Sequence, residues 1–369
     1  MATTRDRYID TIRALAIVRV IVYHALGVAW LTILFPSMGI MFALAGSLMA
    51  ASMTKSGSAV RVVGHRLRRL LLPLWTLGAV GFAVMLLHGW PSDDPTQPTD
   101  PKMLFWILPL NTPPTSEWGQ FFNGVLWYIC TYLWFVLLTP VLLPLFRRLP
   151  VLMLGLPFVL LYVLEQHSFG LSDMILDPAR DVCTYLACWL LGFAHHDGML
   201  QRLKWKVVVP IVLAAAVIGG WLTWIGREDS NFDLTADAMP NAFWSFAFVL
   251  LLLRFRPTMA WLARMPWLER LIDLLNARAV TIYLWHNPGI FAVGLLLGSF
   301  GLEAEEPTTV GTAVLLILGT FLWTAAATLV FGWVEDIAAR RRPSLLPPNR
   351  RRREPGDSTT VRSPAAATS

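Results

Sequence analysis

The stretch from Arg7 to His24 reads RYIDTIRALAIVRVIVYH and places an arginine and a histidine eleven residues apart in the first apolar segment. An α-helix turns about 100° per residue, so this spacing returns to nearly the same face roughly 16 Å further along the axis. Arg13 and His24 therefore share one stripe of one predicted helix. Polar groups within a membrane span are costly and usually face the protein interior, where they mark functional paths. The stripe is the first candidate for chemistry, and Asp10 lies close enough to Arg13 to pair with it.

The composition is that of an integral membrane protein. Of the 369 residues, 56% are hydrophobic and 15% are charged, whereas soluble domains contain about 45–50% and about 25%. The excess lies in apolar runs of the length needed to cross a bilayer. The net charge of +6 does not indicate a nucleic-acid partner, because the basic residues lie in short loops between these runs. All three cysteines lie in apolar segments, so neither a disulfide framework nor a metal site is expected.

The apolar runs predict an all-α fold, a polytopic transmembrane helical bundle with about ten spans. The predicted spans cover approximately residues 8–30, 36–54, 70–88, 122–146, 150–165, 179–196, 207–226, 239–253, 279–299 and 310–334. With the N-terminus inside, 25 of the 30 Lys and Arg residues fall in inner segments, 3 in outer segments and 2 within the first span. Because basic residues are retained in the cytoplasm, the asymmetry places both termini inside. It predicts a multi-pass protein of the inner or plasma membrane.

Two regions of the chain differ in composition. Residues 1–339 form one predicted transmembrane domain, whereas residues 340–369 are rich in Arg, Pro, Ser and Ala and poor in apolar residues. This second region is predicted to be a disordered, basic cytoplasmic tail. Its arginine clusters would lie near the anionic head groups of membrane lipids.

Other candidate residues lie near the ends of later spans. Arg66 and Arg69 precede the third span, where they either fix the topology or bind the phosphates of a cytosolic ligand. Trp127 opens the fourth span within the sequence Leu-Trp-Tyr, where aromatic residues commonly lie at the membrane interface. Tyr283 and His286 belong to the stretch RAVTIYLWHNP in the cytosolic half of the ninth span. Taken alone, this histidine favours a structural role.

The second predicted span contains many small residues. From Gly39 to Met53 it reads GIMFALAGSLMAASM. Small side chains let a second helix approach closely within a membrane. Helix packing is therefore the favoured interpretation of this segment.

Taken in order, these motifs resemble the acyltransferase 3 family of integral membrane O-acyltransferases. The shared features are Asp-x-x-Arg-(ten residues)-His in the first span, a small-residue second span, a basic loop, Leu-Trp-Tyr in a middle span and a late Tyr-Leu-Trp-His-x-Pro. Together they extend over about residues 7–335. The resemblance implies that His24 is the essential histidine and Arg13 its partner. It also implies that Arg66 and Arg69 are the family's loop arginines.

The resemblance further implies an acyl-CoA donor in the cytosol, commonly acetyl-CoA, as a co-substrate and not a bound cofactor. The acceptor is then a hydroxyl of a glycan, a lipid or a small metabolite. A neutral His24 would remove the hydroxyl proton as general base, since the ordinary pKa of histidine is about 6.5; a transient acyl-histidine is a second route. Arg13 would hold the donor or stabilise developing negative charge. The candidate supporting residues are Asp10, Trp127, Tyr283 and His286.

Two other classes of protein are compatible with these residues. In a secondary transporter or flippase, Arg13 and His24 would form a polar relay, because proton relays use the same residue types. The sequence shows neither an inverted repeat nor a matching pair of interrupted helices, which are usual features of such transporters. An inactive family member that acts as a partner or sensor is the third alternative, and the intact Arg13 and His24 argue against it.

Cysteine labelling tests the predicted topology. In a variant without the native cysteines, Asp94→Cys should react with a membrane-impermeant maleimide in intact cells, because it lies in a predicted outer loop. Ser58→Cys and Lys204→Cys should react only after the membrane is opened. Labelling of position 58 from outside would overturn the topology.

Overall fold

The computed structural model describes residues 6–90, 98–167, 169–255, 257–302 and 309–346. Within these ranges the chain forms sixteen α-helices and three 3₁₀-helices, and no strand is present. The α-helices are α1 Arg7–Leu26, α2 Trp30–Leu34, α3 Ser37–Ser56, α4 Ala59–His88, α5 Gln120–Asn123, α6 Leu126–Arg148, α7 Pro150–Gln166, α8 Asp173–His196, α9 Met199–Arg202, α10 Trp205–Ile225, α11 Arg227–Ser230, α12 Ala238–Arg254, α13 Pro266–Ala277, α14 Ala279–Ser299, α15 Val310–Phe331 and α16 Trp333–Ala338. The 3₁₀-helices are Pro101–Trp106, Glu117–Gly119 and Ala260–Arg264. The predicted all-α fold is confirmed for this part of the chain.

Six helical segments of the described residues are long and apolar enough to cross a membrane. They are α2 together with α3, and then α4, α6, α10, α14 and α15. α7 and α12 are apolar but shorter, and the first and sixth predicted spans correspond to α1 and α8, which carry several charged residues. The protein is therefore a multi-pass helical membrane protein. The count of ten spans and the inside location of both termini stay predictions.

α1 has well-defined ends and lies among other helices. Its N-cap is Asp6, whose carboxylate accepts hydrogen bonds from the backbone N–H groups of Tyr8 and Ile9. It ends at Gly27, which adopts the left-handed conformation with φ 63° and donates to the carbonyl of Tyr23, a common helix terminus. Between these ends α1 packs against α2, α3, α13, α14 and α15. Most of the polar stripe therefore lies inside the bundle.

The beginning of α1 is fixed to α13. Arg7 forms an ion pair with Glu269, and the side-chain amide of Asn276 donates to the backbone carbonyl of Asp10 over 2.8 Å. α14 starts two residues after the end of α13. The first turns of α1, including Arg13, therefore lie at the end of the bundle where α14 begins.

α3 and α8 pack with their backbones in direct contact. A Cβ atom added at Gly46 would overlap the carbonyl oxygen of Trp189, and one added at Gly192 would overlap the carbonyl oxygen of Ala43. The predicted packing role of the small residues in the second span is confirmed. Because lipid tails are as apolar as leucine, close packing of this kind is a main source of helix association in a membrane.

The first residues of the predicted tail are held against the bundle. Arg278, which is only 1% exposed, donates to the carbonyls of Gly332 over 2.7 Å and Ser344 over 2.6 Å, and to Asp336 Oδ2 over 2.8 Å. This buried cluster joins the start of α14 to α16 and to residue 344. Residues 347–369 lie outside the described residues, so the disorder of the tail stays a prediction.

Gly192→Ala tests the contact between α3 and α8. The added methyl group has no room beside the Ala43 carbonyl, and overpacking of this kind typically costs about 1–3 kcal/mol. We expect a lower melting temperature for the purified protein in detergent. The matched control is Gly155→Ala in α7, where nothing lies within 4 Å of the added atom. If both variants melted like the wild type, the close packing would be wrong.

Candidate active site

Two cavities open along α1, one near each end of the helix. The Arg13 cavity has a volume of about 220 Å³ and is lined by side chains from α1, α3, α4, α6, α13, α14 and α16. The His24 cavity has a volume of about 430 Å³ and is lined by side chains from α1, α3, α6, α8, α12 and α14 and from the loop before α12. The first cavity contains the initial turns of α1 and α14, and the second contains the last turn of α1 and the initial turns of α8 and α12. The cavities therefore lie toward opposite ends of α1 and meet at the start of α14.

Three arginines face the Arg13 cavity, namely Arg13, Arg66 and Arg69. Nη2 of Arg66 donates to the Leu48 carbonyl and to Ser52 Oγ, both over 3.0 Å, which fixes its guanidinium against α3. Planar guanidinium groups bind phosphate and carboxylate oxygens through paired hydrogen bonds. The cavity therefore has the charge and the donors to hold an anion.

Glu335 from α16 adds a carboxyl group to the wall of the Arg13 cavity. It accepts hydrogen bonds of 2.6 Å from the backbone N–H and from Oγ1 of Thr281 at the start of α14. Burial raises the pKa of this carboxyl above its usual range, although the hydrogen bonds from Thr281 act in the opposite direction. Glu335 thus fixes α16 to α14 at a position near Arg69.

The His24 cavity is lined by polar and aromatic side chains. Tyr23 donates to Asp233 Oδ2 over 2.6 Å, and the rings of Trp127 and Tyr185 stack with centroids 5.8 Å apart. Aromatic rings beside hydrogen-bonding groups in a cavity wall suit a ligand with both apolar faces and hydroxyl groups. The other polar lining residues are Arg19, Asp177, Arg180, Asp181, Thr184, Thr235 and Asn241.

Tyr283 of α14 lines both cavities. Its hydroxyl donates to the backbone carbonyl of Val125 over 2.6 Å, and its ring lies 4.9 Å from the ring of Tyr128 by centroid distance. Tyr128 lines the Arg13 cavity. The two tyrosines therefore form an aromatic partition between the cavities.

His286 packs against His24. Their ring centroids are 5.2 Å apart, and His286 is fully buried. Nδ1 of His286 lies 2.5 Å from the Tyr283 carbonyl oxygen, and since a carbonyl only accepts, Nδ1 carries the hydrogen. Nε2 then carries a lone pair, and it has no hydrogen-bond partner among the described residues. The sequence favoured a structural role for this histidine, but the structure places it beside the predicted base.

The residues predicted from the sequence separate into two groups along α1. Arg13, Arg66 and Arg69 meet in one cavity, and His24 and Trp127 line the other. Tyr283 borders both. Asp10 is buried in the turn before Arg13, and its charge acts on the Arg13 guanidinium.

Several lining residues were missed by the sequence analysis. The Arg13 cavity also contains Tyr128, Tyr132, Asn276 and Glu335, and the His24 cavity contains Arg19, Tyr23, Asp177, Asp181, Tyr185 and Asn241. Many of them share one signal, which is a polar side chain in the first turns of a largely apolar helix. That signal alone does not show which helix ends lie together.

A comparison with models of protein families shows the family of the chain. The family model described as an acyltransferase domain, that of the acyltransferase 3 family, matches residues 6–331. The matched part contains both cavities except for Glu335. The chain belongs to this family and is a membrane acyltransferase. No curated protein and no solved structure matches it.

Proposed function

We propose that the protein transfers an acyl group, with acetyl as the first candidate, from cytosolic acyl-CoA to a hydroxyl group bound in the His24 cavity. The protein would act in the inner or plasma membrane, and the acceptor would be a glycan, a lipid or a small metabolite. The observation that carries the proposal is the pair of cavities at opposite ends of α1 that share Tyr283. One cavity has a cationic lining suited to the donor, and the other contains the candidate base.

The donor would bind with its phosphates toward Arg66 and Arg69. Its acyl thioester would then extend past Arg13 to the partition formed by Tyr128 and Tyr283. This orientation agrees with the predicted topology, in which the beginnings of α1 and α14 face the cytosol. It brings an anionic head group to a cationic opening and an apolar arm to an aromatic interior.

The reaction would proceed by attack of the acceptor oxygen on the thioester carbonyl carbon. His24 removes the hydroxyl proton as the new C–O bond forms, and Arg13, which lines the other cavity, holds the donor. The C–S bond then breaks, and the departing CoA sulfur takes up a proton. His286 would act as a positioning residue, because its ring packs against that of His24.

His24→Ala tests the base. The substitution removes a polar group from an apolar helix, so we expect normal insertion and a normal amount of protein. Loss of a positioned general base typically lowers the rate by about 10²- to 10⁴-fold. Acylation of the acceptor and release of free CoA thiol, both measured in membranes of the native host supplied with acetyl-CoA, report the change.

The matched control for this test is His167→Ala, which changes an exposed histidine at the end of α7. It should leave acyl transfer unchanged. His286→Ala should lower turnover at normal protein levels, whereas a purely structural role would lower the amount of protein instead. A His24→Ala protein that acylated at the wild-type rate would remove this mechanism and favour transport without acylation.

Arg66→Ala and Arg69→Ala test the donor site. Each change should raise the KM for acetyl-CoA by about tenfold or more, as expected for a lost hydrogen bond to a charged group. The kcat should change much less, because the lost contact binds the donor equally strongly in the ground state and in the transition state. Arg148→Ala, at the exposed end of α6 and away from both cavities, should change neither parameter. Unchanged donor dependence in both cavity variants would leave these arginines with a role in topology only.

A further inference from the structure

The chain beyond α16 makes an ordered turn that ends in three exposed arginines. The backbone N–H of Arg340 donates to the Ile337 carbonyl over 2.9 Å, and that of Arg341 donates to the Asp336 carbonyl over 2.8 Å. This pair of bonds is the Schellman helix terminus, in which a left-handed residue is usually glycine. Here the left-handed residue is Arg340, with φ 55°. An arginine therefore occupies a position that glycine would fill with less strain.

Both ends of this turn are fixed to the bundle. Nε and Nη2 of Arg68 donate to the carbonyl of Ala338 over 3.0 and 2.7 Å. On the other side of the turn, Arg278 donates to the Ser344 carbonyl over 2.6 Å, and Ser344 Oγ donates to Asp336 Oδ2 over 3.1 Å. Residues 339–344 therefore form a short strap whose path is set by α4, α14 and α16. We call Arg340–Arg342 the strap arginines.

The strap lies close to residues that line the Arg13 cavity. Glu335, one turn earlier on α16, lines that cavity, and Arg68, which holds the end of α16, lies between Arg66 and Arg69 in sequence. Arg341 is near enough to Arg69 for their charges to interact. Arg340 is near enough to act on His65 at the same edge of α4.

The charge of the strap is not neutralised within the described part of the chain. Arg340, Arg341 and Arg342 are exposed, and the ion pairs of the described residues do not include them. The positive charges of the strap arginines repel each other, so this arrangement is stabilised when an anion binds between them. The combination of a constrained turn, a neighbouring cavity and uncompensated charge points to an anionic ligand.

We propose that Arg340 and Arg341 bind the outermost phosphate of the acyl-CoA donor, the 3′-phosphate of its nucleotide. The inference rests on the proposed function, because it assumes a CoA donor in the Arg13 cavity. Arg66 and Arg69 lie further inside and hold the diphosphate, while the strap arginines contact the phosphate that stays nearest to solvent. Paired hydrogen bonds from guanidinium to phosphate supply the recognition.

A comparison of CoA with 3′-dephospho-CoA tests this assignment by direct binding to the purified full-length protein in neutral-lipid nanodiscs. The wild type should bind CoA about tenfold more tightly than 3′-dephospho-CoA, as expected for a hydrogen bond to a charged group. In Arg340→Gly combined with Arg341→Gln, this preference should disappear while the affinity for 3′-dephospho-CoA stays the same. Glycine is the residue that the left-handed turn prefers, so Arg340→Gly removes the charge without disturbing the strap.

Two further variants separate charge from structure. Arg341→Lys keeps the charge and should retain part of the preference for CoA. Arg148→Gln, an exposed arginine on α6 that lies away from both cavities, should retain all of it. An equal loss of affinity for both ligands in the strap variant would overturn the assignment, because it would show a structural effect.

The remaining outcomes distinguish this inference from the proposed function. If the wild type bound neither CoA nor 3′-dephospho-CoA, the strap assignment and the proposed function would both be wrong. If the wild type bound CoA and the strap variant kept the full preference for it, the strap assignment alone would fail. Lipid phosphates are the other source of the same chemistry. If the strap variant kept the full preference for CoA but bound less anionic lipid than the wild type in mixed-lipid nanodiscs, the strap would be assigned to the membrane surface instead.

Discussion

The organisation of this protein depends on the cost of burying the polar side chains of α1 in a membrane. An α-helix that carries Arg13, Arg19 and His24 is costly to expose to lipid. The structure meets this constraint by surrounding much of α1 with other helices. Arg19 illustrates the result, because it is 9% exposed, its Nε donates to the Leu31 carbonyl over 3.3 Å, and it lies over the ring of Tyr23. Arg13, Arg19 and His24 thus each face a cavity or a partner within the protein.

The same constraint explains why two cavities are present instead of one continuous channel. Arg13 and His24 are about three helical turns apart, and each needs its own polar surroundings. Between them lie Tyr128, Tyr283 and His286, whose rings make a chain of contacts with centroid distances of 4.9 Å and 5.6 Å. An aromatic layer of this kind limits the passage of water and ions while leaving the two cavities adjacent. Such an arrangement suits group transfer between two bound ligands better than it suits free passage of one ligand.

The side of the Arg13 cavity formed by α16 and the start of α14 is held in place by buried polar contacts. Arg278 is almost fully buried and bonds to Gly332, Asp336 and Ser344 at once. A buried ion pair contributes little net stability, because desolvation offsets the attraction between the charges. Its geometric requirements are strict, however, and they fix the positions of α16 and the following turn relative to α14. These contacts therefore set the positions of α16 and the following turn beside the Arg13 cavity.

Local hydropathy and the period of a single helix were enough to predict the helical class, the membrane character and the residues of the α1 stripe. The order of the motifs also indicated the acyltransferase 3 family, and the family match over residues 6–331 confirms it. Sequence could not determine that His286 lies against His24, or that Tyr283 borders both cavities, because those contacts join helices more than 250 residues apart in the chain. The fixed turn at Arg340 was missed for a similar reason. A run of arginines and prolines has the composition of a disordered tail, and only the tertiary contacts with Arg68 and Arg278 hold its first residues against the bundle.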